Sequence, residues 1–211
     1  MILPTMTDME RERELLDEFR RFVKRFNRET VYKWDKAAMK QSVFPKIYHW
    51  SETTARKNTL HIVGYIHGRK AVHEGYVSIM YTTMRTDKGT HLFMYTDYKG
   101  EYLYIFPPHA LERYSSRLNL CLGGSEVAEH YIRRQVASNG GGDYDKETGR
   151  CIMSTDDGIW MGKQLSDHSY LFKTFVDNTL LYKDQLEEGD ECKTDFDEFL
   201  DMTKKYFKGL K

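Results

Sequence analysis

The chain has 211 residues, and 32 Lys and Arg residues are balanced by 32 Asp and Glu residues. Hydrophobic residues make up 40% of the sequence and proline occurs only 4 times, which excludes a globally disordered chain and predicts a packed core. No apolar run approaches the roughly 20 residues that a membrane-spanning helix needs, so we expect no membrane contact. The balanced charge also excludes a protein whose whole surface attracts nucleic acid.

The three cysteines, Cys121, Cys151 and Cys192, form no CxxC pair and cannot all pair within one chain. This pattern argues against a disulfide framework or a zinc ribbon and favours a reducing compartment. The first six residues are too short for the core of a signal peptide and are followed by dense charge. We therefore expect a cytoplasmic location.

The N-terminal part of the chain has helical periodicity. Residues 7–28 place apolar side chains three and four positions apart, and Thr7 and Glu10 have the spacing of a capping box. A second, shorter helix is predicted around Tyr32–Gln41, ending before Pro45.

From residue 60 the period changes to two. Turns at Asp87–Gly89 and Tyr98–Gly100 separate segments rich in β-branched and aromatic residues, which predicts a β-meander. Its strands are expected at Leu60–Ile66, Gly75–Arg85, Thr90–Thr96 and Glu101–Phe106.

Pro107 and Pro108 end the meander and favour the start of a helix. Helices are predicted at residues 108–120 and 125–137, the second with Ser125 as its N-cap, followed by a flexible glycine loop at 139–143. Three short strands are then expected at Cys151–Ser154, Ile159–Lys163 and Tyr170–Val176, and a closing helix at Asp195–Leu210. The predicted fold class is α+β, an antiparallel sheet of meanders packed with helices and flanked by N- and C-terminal amphipathic helices.

Charge is unevenly distributed along the chain. Residues 184–201 contain nine acidic residues and one lysine, so the preceding chain is mildly basic. Two interpretations stay open: a solvated acidic loop and helix, or an acidic segment that covers a basic site elsewhere in the chain.

The predicted helix after Pro108 carries the most informative chemistry. At 100° per residue, His109, Arg113 and Arg117 lie within about 80° of one another, and the opposite side of the helix is apolar. An imidazole can transfer protons near neutral pH, and guanidinium groups bind phosphate. The same spacing is also typical of an exposed polar helix face that forms salt bridges.

A longer pattern surrounds this helix. His-Ala-Leu-Glu-Arg-Tyr-x-x-Arg at 109–117 is followed by a second helix, then by Gly149–Met153, Asp157–Gly162 and Phe172–Val176. This order resembles the BrnT-like toxins and the wider barnase–EndoU–colicin–RelE superfamily of metal-independent endoribonucleases, over roughly residues 100–180. The resemblance implies a site in which His109, Arg113 and Arg117 act with Thr174 on a late strand, and with Lys173 beside it. It assigns no general acid, for which His168 and Tyr170 are candidates.

The resemblance divides one compact domain, residues 1–211, into three parts. They are an N-terminal helical and strand extension at 1–99, a ribonuclease-toxin-like core at 100–183, and an acidic segment with a C-terminal helix at 184–211. The expected function is metal-independent RNA cleavage by a 2′-hydroxyl, with RNA and a protein antidote as partners and no cofactor. The alternative is a non-catalytic RNA- or protein-binding module on the same scaffold, and the oligomeric state is not predicted.

Metal chemistry is the weaker interpretation of the remaining motifs. His61 and His67 lie an even number of residues apart, and His73 follows, but they have no known metal-ligand spacing. Asp156-Asp157-Gly158 resembles part of a cation loop and is also explained as a tight turn. We therefore expect no metal.

Overall fold

The computed structural model describes residues 1–69, 77–96, 101–137 and 141–181. In this part of the chain, nine strands form one sheet in the order β1-β2-β3-β4-β5-β9-β8-β7-β6. All neighbouring pairs are antiparallel except β5 and β9, which are parallel. The strands are β1 (Lys46–Thr53), β2 (Thr59–Ile66), β3 (Val77–Thr86), β4 (Gly89–Thr96), β5 (Tyr102–Phe106), β6 (Gly141–Tyr144), β7 (Arg150–Thr155), β8 (Gly158–Ser166) and β9 (Ser169–Asp177).

Four helices accompany the sheet within the described residues. They are α1 (Asp8–Met39), α2 (Pro108–Arg117), α3 (Ser125–Gln135) and the single turn α4 (Asn178–Leu181). None of these described helices is both long and apolar enough to cross a membrane. The predicted α+β class with a mostly antiparallel sheet is confirmed.

Helix α1 is one continuous helix of 32 residues, so the prediction of two helices in this region is wrong. Its sequence contains no glycine or proline that would end it near residue 30, and tertiary packing continues beyond that point. The capping box forms as predicted, since Thr7 accepts a hydrogen bond from the Glu10 backbone and Glu10 accepts one from the Thr7 backbone. Near its end, α1 places Trp34 against Gly64 of β2, where a Cβ atom would overlap the indole ring.

The core has two layers, one on each face of the sheet. Helix α1 covers one face with a stripe of buried side chains, Leu15, Leu16, Phe19, Phe22 and Phe26, which pack against Leu60, Ile62, Phe93, Tyr95 and Leu103. Helices α2 and α3 cover the other face, where Tyr114 and Tyr131 pack against Phe106, Trp160, Phe172 and Phe175. Fully burying one such large side chain contributes about 1.5–3 kcal/mol, so these two layers hold the helices in place.

Several element boundaries differ from the sequence prediction. Strand β1 was not expected, because three of its four outward residues are polar and only Tyr48 and Trp50 pack inward against the core. The predicted glycine loop at 139–143 instead contains β6, which pairs with β7. Gly124, rather than Ser125, is the N-cap of α3, and α2 and α3 end two to three residues earlier than predicted.

The predicted turn at Asp87–Gly89 is present, and the start of α2 at Pro108 is confirmed. The turn at 98–100, the acidic segment at 184–201 and the helix at 195–210 lie outside the described residues. The contact between the acidic segment and a basic site therefore stays a prediction.

The parallel pair determines where α2 lies. Strands β5 and β9 pair only over Leu103–Ile105 and Ser169–Leu171. Strand β5 then ends at Phe106, whereas β9 continues to Asp177. Because α2 follows β5 almost at once, it packs along this second half of β9.

Candidate functional site

Helix α2 presents its polar face to solvent, as its spacing predicts. Pro107 is the N-cap and Pro108 opens the helix, since proline needs no backbone hydrogen bond in the first turn. One side of the helix is buried through Pro108, Ala110, Leu111, Tyr114 and Ser115. His109, Arg113 and Arg117 are all exposed on the other side.

Arg113 joins this helix to the last strand. Its Nη1 atom donates a hydrogen bond of 2.9 Å to Oγ1 of Thr174 in β9. Thr174 lies opposite Met161 of β8, and alternation along the strands puts both side chains on the α1 side of the sheet. Arg113 thus reaches past the end of β5 to the α1 side of the sheet. The structure brings these two predicted site residues together.

Lys173 lies next to Thr174 and is exposed. It falls at a register shift, because Met161 pairs with Thr174 whereas the next residue, Gly162, pairs with Phe172. The unpaired residue is typical of a β-bulge, which changes the direction of nearby side chains. Lys173 therefore adds positive charge beside the Arg113–Thr174 contact.

Arg117 lies one helical turn after Arg113. Partial burial and the neighbouring charge of Arg113 lower the pKa of Arg117, while the carboxylate of Asp177 opposes this effect. Asp177 is buried at the end of β9, and its Oδ1 accepts a hydrogen bond of 2.9 Å from the backbone of Thr179. The site thus contains two adjacent guanidinium groups and one buried carboxylate, so its net charge is positive.

His91 belongs to the same region and was missed by the sequence prediction. It lies at the start of β4, and the pairing of Leu92 with Phe106 places it near the first turn of α2. Burial lowers the pKa of His91, the positive charges of Arg11 and His109 lower it further, and Asp8 opposes them. Its Nδ1 atom is buried and has no hydrogen-bond partner among the described residues. No sequence motif indicates this proximity, since it depends on the β4–β5 register.

The two general-acid candidates, His168 and Tyr170, lie away from this site. His168 is six residues before Thr174 along β9, which corresponds to roughly 20 Å, and its ring contacts the backbone oxygen of Glu101. Tyr170 is roughly 13 Å from Thr174 by the same measure and packs against Tyr102 and Tyr104 on the opposite face. Neither residue lies beside the Arg113–Thr174 contact.

A hydrogen-bonded clamp fixes the helix that carries the site. Asp157, in the β7–β8 turn, accepts a hydrogen bond of 2.9 Å from the hydroxyl of Tyr114 in α2. It also accepts hydrogen bonds from Nε and Nη2 of Arg134 in α3, at 2.8 and 2.5 Å. The negative charge of Asp157 and burial together raise the pKa of Tyr114, with burial the larger cause. The Asp-Asp-Gly sequence is therefore a turn whose second carboxylate binds two helices.

His61 of β2 contacts His49 of β1, and not His67 as the sequence spacing suggested. Nδ1 of His61 lies 3.1 Å from Nε2 of His49 in β1, and the His61 ring stacks on Tyr81. His67 is exposed beyond the end of β2, and His73 lies outside the described residues. No group of three or more metal-binding side chains occurs among the described residues.

Two of the three cysteines are described, and both are free. Cys121 is exposed in the loop after α2, and Cys151 is buried in β7. Burial raises the pKa of Cys151 to about 12, so its thiol is protonated at neutral pH and is not a nucleophile.

The described site therefore combines an exposed imidazole, two guanidinium groups, a lysine and a hydroxyl held by a hydrogen bond.

Comparisons of this chain with protein-family models, with curated proteins and with solved structures found no match.

Proposed function

We propose that the chain is a metal-independent endoribonuclease that cleaves RNA by attack of a 2′-hydroxyl on the neighbouring phosphate. The hydrogen bond between Arg113 and Thr174 carries this proposal, because it joins the polar face of α2 to β9 and leaves His109 exposed on the same face. Within this cationic region, a phosphodiester can contact a guanidinium, a hydroxyl and an imidazole together.

Each residue has a role in the proposed reaction. Arg113 and Arg117 bind the non-bridging oxygens of the scissile phosphate, and Thr174 and Lys173 donate further hydrogen bonds from the strand. Their positive charge stabilises the negative charge that grows on the phosphorane. Because Oγ1 of Thr174 accepts the hydrogen bond from Arg113, the hydrogen of its hydroxyl stays available to donate to the substrate.

Proton transfer completes the reaction. His109 takes the proton of the 2′-hydroxyl as its oxygen bonds to phosphorus, and the bond from phosphorus to the 5′-oxygen breaks. His91 replaces His168 and Tyr170 as the candidate that protonates the leaving 5′-oxygen. The products are a 2′,3′-cyclic phosphate and a 5′-hydroxyl end, so no water or metal is consumed.

The alternative is a protein that binds RNA through the same cationic face without cleaving it. Among the described residues, no hydrogen bond holds the exposed ring of His109 in one orientation. This observation favours the second candidate. Phosphate binding by Arg113, Arg117 and Lys173 does not need that imidazole.

One experiment separates the two candidates. Purified protein is incubated with a single-stranded RNA in excess chelator, and the ends of any product are identified. Cleavage to a 2′,3′-cyclic phosphate that is lost in His109→Ala and kept in His168→Ala supports the enzyme. Intact RNA, with binding that weakens steeply as salt rises, supports the binding protein.

A further inference from the structure

A pair of basic residues lies on the same face of the sheet as Thr174. Arg150 of β7 is directly opposite Lys163 of β8, and Lys163 is opposite Leu171 of β9. Leu171 packs against the core layer of α1. Because opposite residues of antiparallel strands point to the same face, the side chains of Arg150 and Lys163 are on the α1 side of the sheet.

The spacing of this pair from the site follows from strand geometry. Lys163 is two residues from Met161, and Met161 is opposite Thr174. With about 3.3 Å per residue and about 4.8 Å between strands, the Cα atom of Lys163 is roughly 8 Å from that of Thr174. Arg150, one strand further, is roughly 12 Å from Thr174.

Both basic side chains are exposed. Between them and Thr174 lies Met161, which is half-buried against Ile152 and Ile159. The face therefore presents, in order, Arg113 with Thr174, then an apolar thioether, then two cations. Cations along one face are typical of surfaces that follow the backbone of a single-stranded nucleic acid.

We infer that Lys163 and Arg150 bind backbone phosphates on one side of the scissile phosphate, along a surface that we call the β7–β9 track. The track is defined by Thr174, Met161, Lys163 and Arg150, and its ligand is single-stranded RNA. This inference rests on the proposed function. It adds the direction in which the substrate leaves the site, across β8 towards β7. Hydrogen bonds from Thr148 and from the backbone of Glu147 lower the pKa of Asp145, and the nearby cation of Arg150 lowers it a little further, so Arg150 has one carboxylate near it.

The test measures binding separately from cleavage. The protein carrying His109→Ala is titrated with a fluorescent single-stranded RNA oligonucleotide at several salt concentrations. The same titration is repeated with Lys163→Gln, Arg150→Gln or both added. Each lost phosphate contact makes the slope of log K against log salt less negative by about 0.7 and weakens binding about fivefold at 0.1 M salt. Lys33→Gln, on the exposed side of the distant end of α1, is the matched control and leaves both quantities unchanged.

The outcomes are distinguishable. Tight binding of RNA that Lys163→Gln and Arg150→Gln do not change overturns the track and leaves the proposed function standing. Absence of RNA binding at any salt, together with absence of cleavage by the unsubstituted protein, overturns both. Lys163→Arg retains the charge, and we expect it to bind RNA like the parent.

Discussion

Nη1 of Arg113 and Oγ1 of Thr174, 61 positions apart in sequence, are 2.9 Å apart and hydrogen-bonded. Their contact is possible because β5 ends at Phe106 while β9 continues, so that α2 packs along the second half of β9. The chain thereby places a guanidinium and a hydroxyl from two distant segments at one point on the surface. This relationship supports the proposed phosphate site.

Thr174→Val removes the hydroxyl and keeps the shape of the side chain. We expect RNA cleavage to fall about tenfold or more, since a hydrogen bond to a charged group contributes about 1.5–3 kcal/mol. The free energy of unfolding should change by less than about 1 kcal/mol, because the contact is exposed to solvent. Single-turnover cleavage and urea unfolding measure the two effects. A large loss of stability with unchanged cleavage would show that Thr174 has only a structural role.

His91 gives the reaction a predicted pH dependence. Because burial lowers the pKa of His91, only a small fraction of this side chain is protonated at pH 7, and the fraction rises on acidification. If His91 donates the proton to the leaving group, the cleavage rate rises as pH falls from 7 towards that pKa. His91→Gln should remove this rise while leaving RNA binding intact. A pH–rate profile that His91→Gln does not alter would exclude His91 as the acid.

Asp157→Ala tests the clamp that holds α2 and α3. The substitution leaves the hydroxyl of the buried Tyr114 without its carboxylate and breaks the paired hydrogen bonds of Arg134. We expect the free energy of unfolding to fall by about 2–3 kcal/mol in a urea titration. Arg134→Gln is the matched control. It should cost about 1 kcal/mol or less, because the side chain of Arg134 is 53% exposed.

Some residues of the candidate site can be predicted from the sequence and others cannot. The exposed face of α2 with His109, Arg113 and Arg117 follows from helical spacing, because local periodicity determines which side chains are buried. The hydrogen bond from Arg113 to Thr174 joins two distant segments. It could not have come from local pattern, since it depends on the parallel pairing of β5 with β9. His91 could not be predicted because its position depends on strand register, which tertiary packing determines.

The His49–His61 contact predicts how stability depends on pH. Burial lowers the pKa of both imidazoles below the ordinary value of 6.5. As pH falls through 6.5, the unfolded chain takes up protons that the folded chain does not, so the free energy of unfolding decreases. His61→Phe keeps the ring on Tyr81 and removes one titrating group, so the loss of thermal stability between pH 7.5 and 5.5 should shrink.

The exposed His67 serves as the control for that measurement. His67→Phe should leave the pH dependence of the melting temperature unchanged. Equal slopes for the unsubstituted protein and His61→Phe would contradict the assignment of this effect to the His49–His61 pair.

The most direct test of the central claim is cleavage of single-stranded RNA in excess chelator by the unsubstituted protein and by His109→Ala. We predict 2′,3′-cyclic phosphate ends with the unsubstituted protein and a loss of rate of at least about a hundredfold in the variant, as expected for a general base. Intact RNA in both reactions, or equal cleavage in both, would contradict the account.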